Sequence, residues 1–147
     1  MPDHIAAFEK TVQRTYEWID DVAFHLQTQD RKTAYAVLRA TLHALRDRLD
    51  LNEGAQLAAQ MPMLLRGLYY EEWDPSTQAN KERHKEYFLA RVREGLRNYE
   101  HLDVERAVRA VFMALESNIS RGEVKDVVSL LPRDLRDLWP GVNWRAA

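Results

Sequence analysis

Three pairs of charged residues recur at one fixed separation: Arg39 and Arg109, Glu53 and Glu123, Arg66 and Arg136, each 70 positions apart. Twinned guanidiniums could clamp an anion, and twinned carboxylates could divide acid and base roles. A plainer use competes. Each Glu stands three residues after a helix-capping type, in Asp50-x-x-Glu53 and Ser120-x-x-Glu123. In a capping box the first side chain holds one amide and the Glu reaches back to another. The arginines can bridge helix C-termini or carboxylates while their stems cover apolar surface. Structural use is therefore the expectation for all six. The competing reading is a small-ligand binder or enzyme, with Arg39, Arg66, Arg109 and Arg136 converging in a cleft between two units.

The remaining inventory for chemistry is thin. The histidines His4, His25, His43, His84 and His101 include no pair at i, i+4, no Glu three residues before any of them, and no H-E-x-x-H. His43 faces Met113 in the repeat and is expected to fill space near the core edge. No metal site follows from these. Ser76, Ser117, Ser120 and Ser129 lie in no G-x-S-x-G elbow, and the glycines are isolated, so no loop cradles a phosphate. Asp20-Asp21 and Glu71-Glu72 are adjacent and splay apart on a helix. No catalytic residue and no cofactor is expected.

Segments 33–60 and 103–130 have a loose helix-turn-helix spacing, but residues 53–60 carry no Lys or Arg. Phosphate contacts dominate nucleic-acid affinity, so this helix is a poor reader. The aromatics offer a better surface. Tyr69, Tyr70 and Trp73 follow one short helix and Trp139 and Trp144 another, near Arg66 and Arg136 respectively. Tyr, Trp and Arg are the types that anchor protein interfaces. These seven residues are the candidate interaction surface, for an unknown protein partner or for self-association.

The elements that must carry these residues are themselves repeated. Residues 18–69 fall on 88–139 without a gap, with eleven identities in 52 positions where roughly three would arise by chance. Each copy reads as three helices and a short fourth. Ile5, Phe8, Val12, Thr15, Ile19, Val22 and Leu26 form one stripe at helical spacing, and its counterpart runs over about 79–99 with Phe88, Leu89, Val92 and Leu96. The second helices begin at the equivalent caps Thr33 and Asp103. The third begin at the capping boxes. Pro62 and Pro132 then open short helices burying Leu65, Leu68 and Tyr69, or Leu135, Leu138 and Trp139. The fold expected is all-α, a helical bundle of two tandem units, 1–72 and 73–147, packed about a pseudo-twofold axis as a single helical domain over 1–147.

Composition agrees. The 147 residues are 46% hydrophobic and 30% charged, and only five Gly and five Pro interrupt them. Net charge is −2, which calls for neither nucleic acid nor an acidic membrane. The absence of cysteine excludes disulfides, thiolate catalysis and Cys-based metal sites, and fits a cytoplasmic home. The N-terminus has no signal-peptide pattern, and no apolar run is long enough to span a membrane.

The stretch 38–49, followed by Glu53-Gly54-Ala55-Gln56-Leu57-Ala58-Ala59-Gln60-Met61-Pro62, then 64–70 and Trp73, resembles a bacterial family known only as domain of unknown function 2267. Gly122-Glu123-Val124, Leu131-Pro132 and Leu138-Trp139 resemble it too. The resemblance covers nearly the whole chain. It implies a bacterial, helical, cytoplasmic protein, and it brings no established activity and no catalytic residues. The expectation that remains is a non-enzymatic protein-interaction module working through helical faces and the Tyr/Trp–Arg surfaces.

Overall fold

A computed structural model describes residues 3–77 and 83–139. The described residues are helical, with no strand among them. The helices run α1 (Ala6–Leu26), α2 (Arg31–Arg48), α3 (Leu51–Ala59), α4 (Met63–Tyr70), then, after a 3-10 turn at Pro75–Thr77, α5 (Lys85–Glu94), α6 (Val104–Asn118), α7 (Arg121–Leu130) and α8 (Arg133–Arg136). None is long and apolar enough to cross a membrane.

Capping sets most boundaries. Asp50 accepts the Glu53 amide at 2.8 Å, Ser120 Oγ the Glu123 amide at 3.1 Å, and Asp103 the Arg106 amide at 3.2 Å. Thr33 does not cap α2. The helix begins one turn earlier, at Asp30, which accepts the Lys32 amide at 3.0 Å and the Thr33 hydroxyl at 2.8 Å. Thr33 is thereby a partner of the cap. At the end of α1, Gln27 takes a left-handed conformation (φ 61°), and Thr28 N donates to Ala23 O at 3.0 Å. This closes the helix in the way a glycine usually does.

Helix α5 starts at Lys85 and stops at Glu94, five residues short of the expected end; its expected first residues, 79–82, lie outside the described residues. Gly95 lies against α2 so closely that a Cβ on it would come within 2.8 Å of Ala40 Cβ. The chain then unwinds, with Leu96 N donating to Arg93 O and Tyr99 N to Leu96 O.

One hydrophobic cluster runs through both halves of the chain, from Trp18 and Val22 on α1 to Leu135 and Trp139 at α8. Helix α1 packs on α2 and α6, and α2 packs on α5 and α6. Helix α3 packs on α7, its counterpart in the other half. Arg106 ties the halves together at one end, its Nη2 donating to Leu26 O at 3.2 Å and to Gln27 Oε1 at 2.6 Å.

The apolar stripe of α1 is only half used. Thr15, Ile19, Val22 and Leu26 are buried, whereas Ile5, Phe8 and Val12 are 54%, 60% and 41% exposed. The pattern continues unbroken along the helix, but among the described residues nothing buries these three side chains.

Candidate functional site

The contact between α3 and α7 brings the repeated glutamates face to face. Capping places each at the third position of its helix, turned inward. Glu53 is 8% exposed and Glu123 7%. The capping-box expectation holds for Asp50 and Ser120 as acceptors, but neither Glu is seen to make the return bond to its cap residue's amide. The Ser120 amide is taken by Gln60 Oε1 from the end of α3, at 3.0 Å. Glu123 instead meets Glu53. Asp126 stands one turn further along α7, exposed at the edge of the same contact. Carboxylate oxygens of Glu53, Glu123 and Asp126 all lie within 4.8 Å of one another.

This pair is short of partners. Glu53 Oε1 and Glu123 Oε2 are buried without a hydrogen bond. Among the described residues no basic side chain forms an ion pair with either. Helix α3 has no Lys or Arg, and Arg121 and Lys125 of α7 are exposed. Burial first, and then the facing Glu53 carboxyl, push the Glu123 carboxyl up to about 8.

Two buried donors are orphaned as well. The Tyr69 hydroxyl, on a fully buried ring, has no partner, and a Cβ on Gly54 would lie 3.2 Å from it. The glycine after Glu53 thus makes room for this hydroxyl. Trp139, the repeat equivalent of Tyr69, has a buried Nε1 without a partner, and its ring stacks on Phe112 at 4.3 Å. Thr41 Oγ1, Arg48 Nε and Glu116 Oε1 are orphaned too, so the two repeat-equivalent pairs, 53 with 123 and 69 with 139, are part of a wider set.

The proposed Tyr/Trp–Arg surface divides. Tyr69 and Trp139 belong to the core and are not available as surface anchors. Arg66 donates to Ala58 O at 3.0 Å and Met61 O at 3.1 Å, and Arg136 to Leu131 O and Ser129 O, both at 2.9 Å. Each arginine thus closes the C-terminal end of the helix before it, the use expected for both. Tyr70 and Trp73 are half-buried, with ring centroids 5.2 Å apart. Trp144 lies outside the described residues.

The four repeated arginines do not converge. Arg39 pairs with Glu71 at 2.7 Å, and Arg109 with Glu105 at 3.0 Å and with Asp137 O at 2.9 Å. Of the four, only Arg39 lines the groove of about 770 Å³ between α2 and the end of α5. His43, on that groove, is buried, and its Nε2 donates to Leu68 O at 2.7 Å. Sequence reasoning passed over Arg46, a buried guanidinium bonded to Tyr69 O and Glu71 O at 2.9 and 2.8 Å. It holds the end of α4.

A second feature is the open half of α1. The Leu64 amide donates to Thr11 Oγ1 at 2.8 Å, which brings the exposed Met63 and Leu64 up to the helix that carries Ile5, Phe8 and Val12. A groove of about 530 Å³ lies on another face of α1, lined by charged side chains such as Lys10, Arg14, Glu17 and Arg66 as well as Met61 and Met63, and Ile5, Phe8, Val12 and Leu64 are not part of it.

A family model described as an uncharacterised conserved protein, DUF2267, matches residues 15–138. The chain belongs to the DUF2267 family. The match begins at Thr15, the first buried residue of α1, and takes in Glu53, Tyr69, Glu123 and Asp126. Ile5, Phe8 and Val12 precede it. No curated protein matches the chain.

Proposed function

We propose that this DUF2267 protein is a non-enzymatic interaction module that docks another protein surface on the open half of α1. The observation that carries the reading is the exposed stripe of Ile5, Phe8 and Val12 along one side of α1, with Met63 and Leu64 exposed on the neighbouring α4. Contiguous exposed apolar side chains of this size mark interaction surfaces, whereas scattered ones do not. Tyr70 and Trp73 supply a smaller apolar surface beside Arg39 and Glu71. The occupant proposed for α1 is a second copy, because an apolar stripe is complementary to itself across a twofold axis.

Within the chain we infer a single domain of two pseudo-twofold-related units. The reciprocal packing of α1 on α6 and of α5 on α2 supports it. A bacterial, cytoplasmic setting belongs to the same reading. The family resemblance supports the first, and a cysteine-free sequence agrees with a reducing compartment.

Light scattering across a concentration series, on wild type and Phe8→Glu, tests the docking face. Phe8 is exposed, so its replacement leaves the core intact. The expected result is a wild-type dimer that Phe8→Glu converts to monomer. A wild type that stays monomeric throughout the series, with Phe8→Glu indistinguishable from it, overturns docking by a second copy.

A further inference from the structure

The groove between α2 and the end of α5 carries charges of both signs, and the docking reading does not use it. It lies where the two halves of the chain meet, at the close approach of Gly95 to Ala40. Arg39 and Glu72 come to it from the first half, and Arg91, Glu94 and Arg97 from the second. Its volume of about 770 Å³ is that of a small-molecule site. Among the described residues no Leu, Ile, Val, Met or Phe lines it, so its occupant must be polar. We propose that this groove binds a small zwitterion with a second carboxylate, an acidic α-amino acid.

The guanidiniums are held in place and still have donors to give. Arg39 is bonded to Glu71 through Nε at 2.7 Å, and Arg91 to Asp47 through Nη2 at 3.2 Å. Arg97 has no hydrogen-bond or ion-pair partner among the described residues. A guanidinium has five N–H donors in a fork that matches a carboxylate, so all three keep donors free. The unwound turn that carries Arg97 is fixed by Arg93, which donates to Leu102 O at 2.7 Å and to Tyr99 O at 3.4 Å.

The acceptors call for an ammonium. Glu72, 3.8 Å from Arg39 Nη2, and Glu94 are exposed on the same groove. His43 is a second, independent observation. It is only 5% exposed and yet lines the groove. Its Nε2 donates to Leu68 O, which leaves Nδ1 a bare acceptor, and Nδ1 has no partner among the described residues. Burial, with Arg46 and Arg39 nearby, lowers the pKa of this ring and keeps it neutral. A neutral imidazole acceptor needs an N–H donor, which an ammonium has and a plain dicarboxylate lacks. The charges balance as well. Three guanidiniums against two carboxylates leave one positive charge over, and an acidic amino acid brings one negative charge over.

The test is calorimetric titration of L-glutamate and of L-aspartate into the full chain. Glutarate is the control, because it keeps both carboxylates and lacks the ammonium. One saturable site per chain is expected with at least one of the amino acids, and glutarate should bind at least about tenfold more weakly, since it leaves the acceptors unpaired. Arg97 and Glu94 are exposed, so Arg97→Ala and Glu94→Gln should keep the wild-type unfolding temperature, and each should weaken binding by about tenfold. The inference is overturned if neither amino acid gives a saturable heat at millimolar concentration. It is equally overturned if both variants bind as wild type does, since the ligand is then held elsewhere, or if glutarate binds as tightly as glutamate. Phe8→Glu should leave the titration unchanged, so the two readings stand or fall separately.

Discussion

Gly95 and Ala40 touch where the end of α5 crosses α2, and a Cβ on Gly95 would sit 2.8 Å from Ala40 Cβ. This is backbone-level proximity between elements from the two halves of the chain. It explains why a glycine stands there, since any side chain would force α2 or α5 to shift. Gly67 on α4 is the opposite case, with nothing within 4 Å of its missing Cβ.

The two glycines should therefore respond in opposite directions to alanine. Gly95→Ala overpacks the contact and should cost about 1–3 kcal/mol. Gly67→Ala removes backbone freedom from an exposed helical position and should gain about 0.5–1 kcal/mol. Urea unfolding of both variants beside wild type decides it. A harmless Gly95→Ala would mean that α5 and α2 are further apart than described.

Acid should weaken the protein through His43. Burial lowers its pKa below the ordinary 6.5, and the neighbouring Arg46 and Arg39 act in the same direction, against the backbone bond to Leu68. The unfolded chain then takes up a proton at a pH where the folded ring stays neutral. This contribution to stability is present above 6.5 and is lost as pH falls from 6.5 toward the folded value. The urea midpoint should drop through that window, and His43→Gln should flatten the drop. An equal slope in the variant would assign the acid sensitivity to other groups.

Arg66 and Arg136 make the same kind of bond pair at matching places in the two halves. Replacing either with Leu should cost about 1 kcal/mol, because the carbonyls it served turn to water on a surface that is partly open. Lysine should not restore the loss, since an ammonium cannot fork between two carbonyls as a guanidinium does. Unequal costs in urea unfolding would show that the matched geometry does not carry matched energy.

Much of the helical framework was legible in residue types. Asp50, Ser120 and Asp103 mark helix starts because a short side-chain acceptor before an apolar repeat has one preferred use. Thr33 was misleading for a physical reason, because Asp30 and Thr33 are both capping types three residues apart and hydrogen-bond to each other. Which of them starts the helix depends on where the turn after α1 releases the chain. The α1 stripe shows where apolar residues point, but periodicity does not report whether a neighbour is present, so Ile5 reads the same as Ile19. The need for glycine at 95 comes from Ala40, 55 positions away. Local pattern carries no trace of such a contact.

The candidate site was hidden by its own good explanation. A Glu three residues after a cap looks identical whether it turns back to its helix or across to another. The signal lay in combining two facts already in the sequence. An acid is identical in both copies, and α3, one of the two helices that carry it, has no basic residue. If α3 pairs with its own counterpart, that acid must meet itself.

The packing of α3 on α7 has a consequence for how this chain can change. At most sites a mutation meets an unrelated neighbour, and compensation can come from many places. At positions 53 and 123 the neighbour is the same residue one repeat away. In a unit that paired with an identical copy of itself, any charge placed here would be doubled at once, and attraction between opposite charges would be unattainable. Joining two units in one chain lifts that restriction, since each side can then vary independently. Position 56 has used the freedom, facing the world as Gln in one half and as Asp126 in the other, while the two glutamates have not.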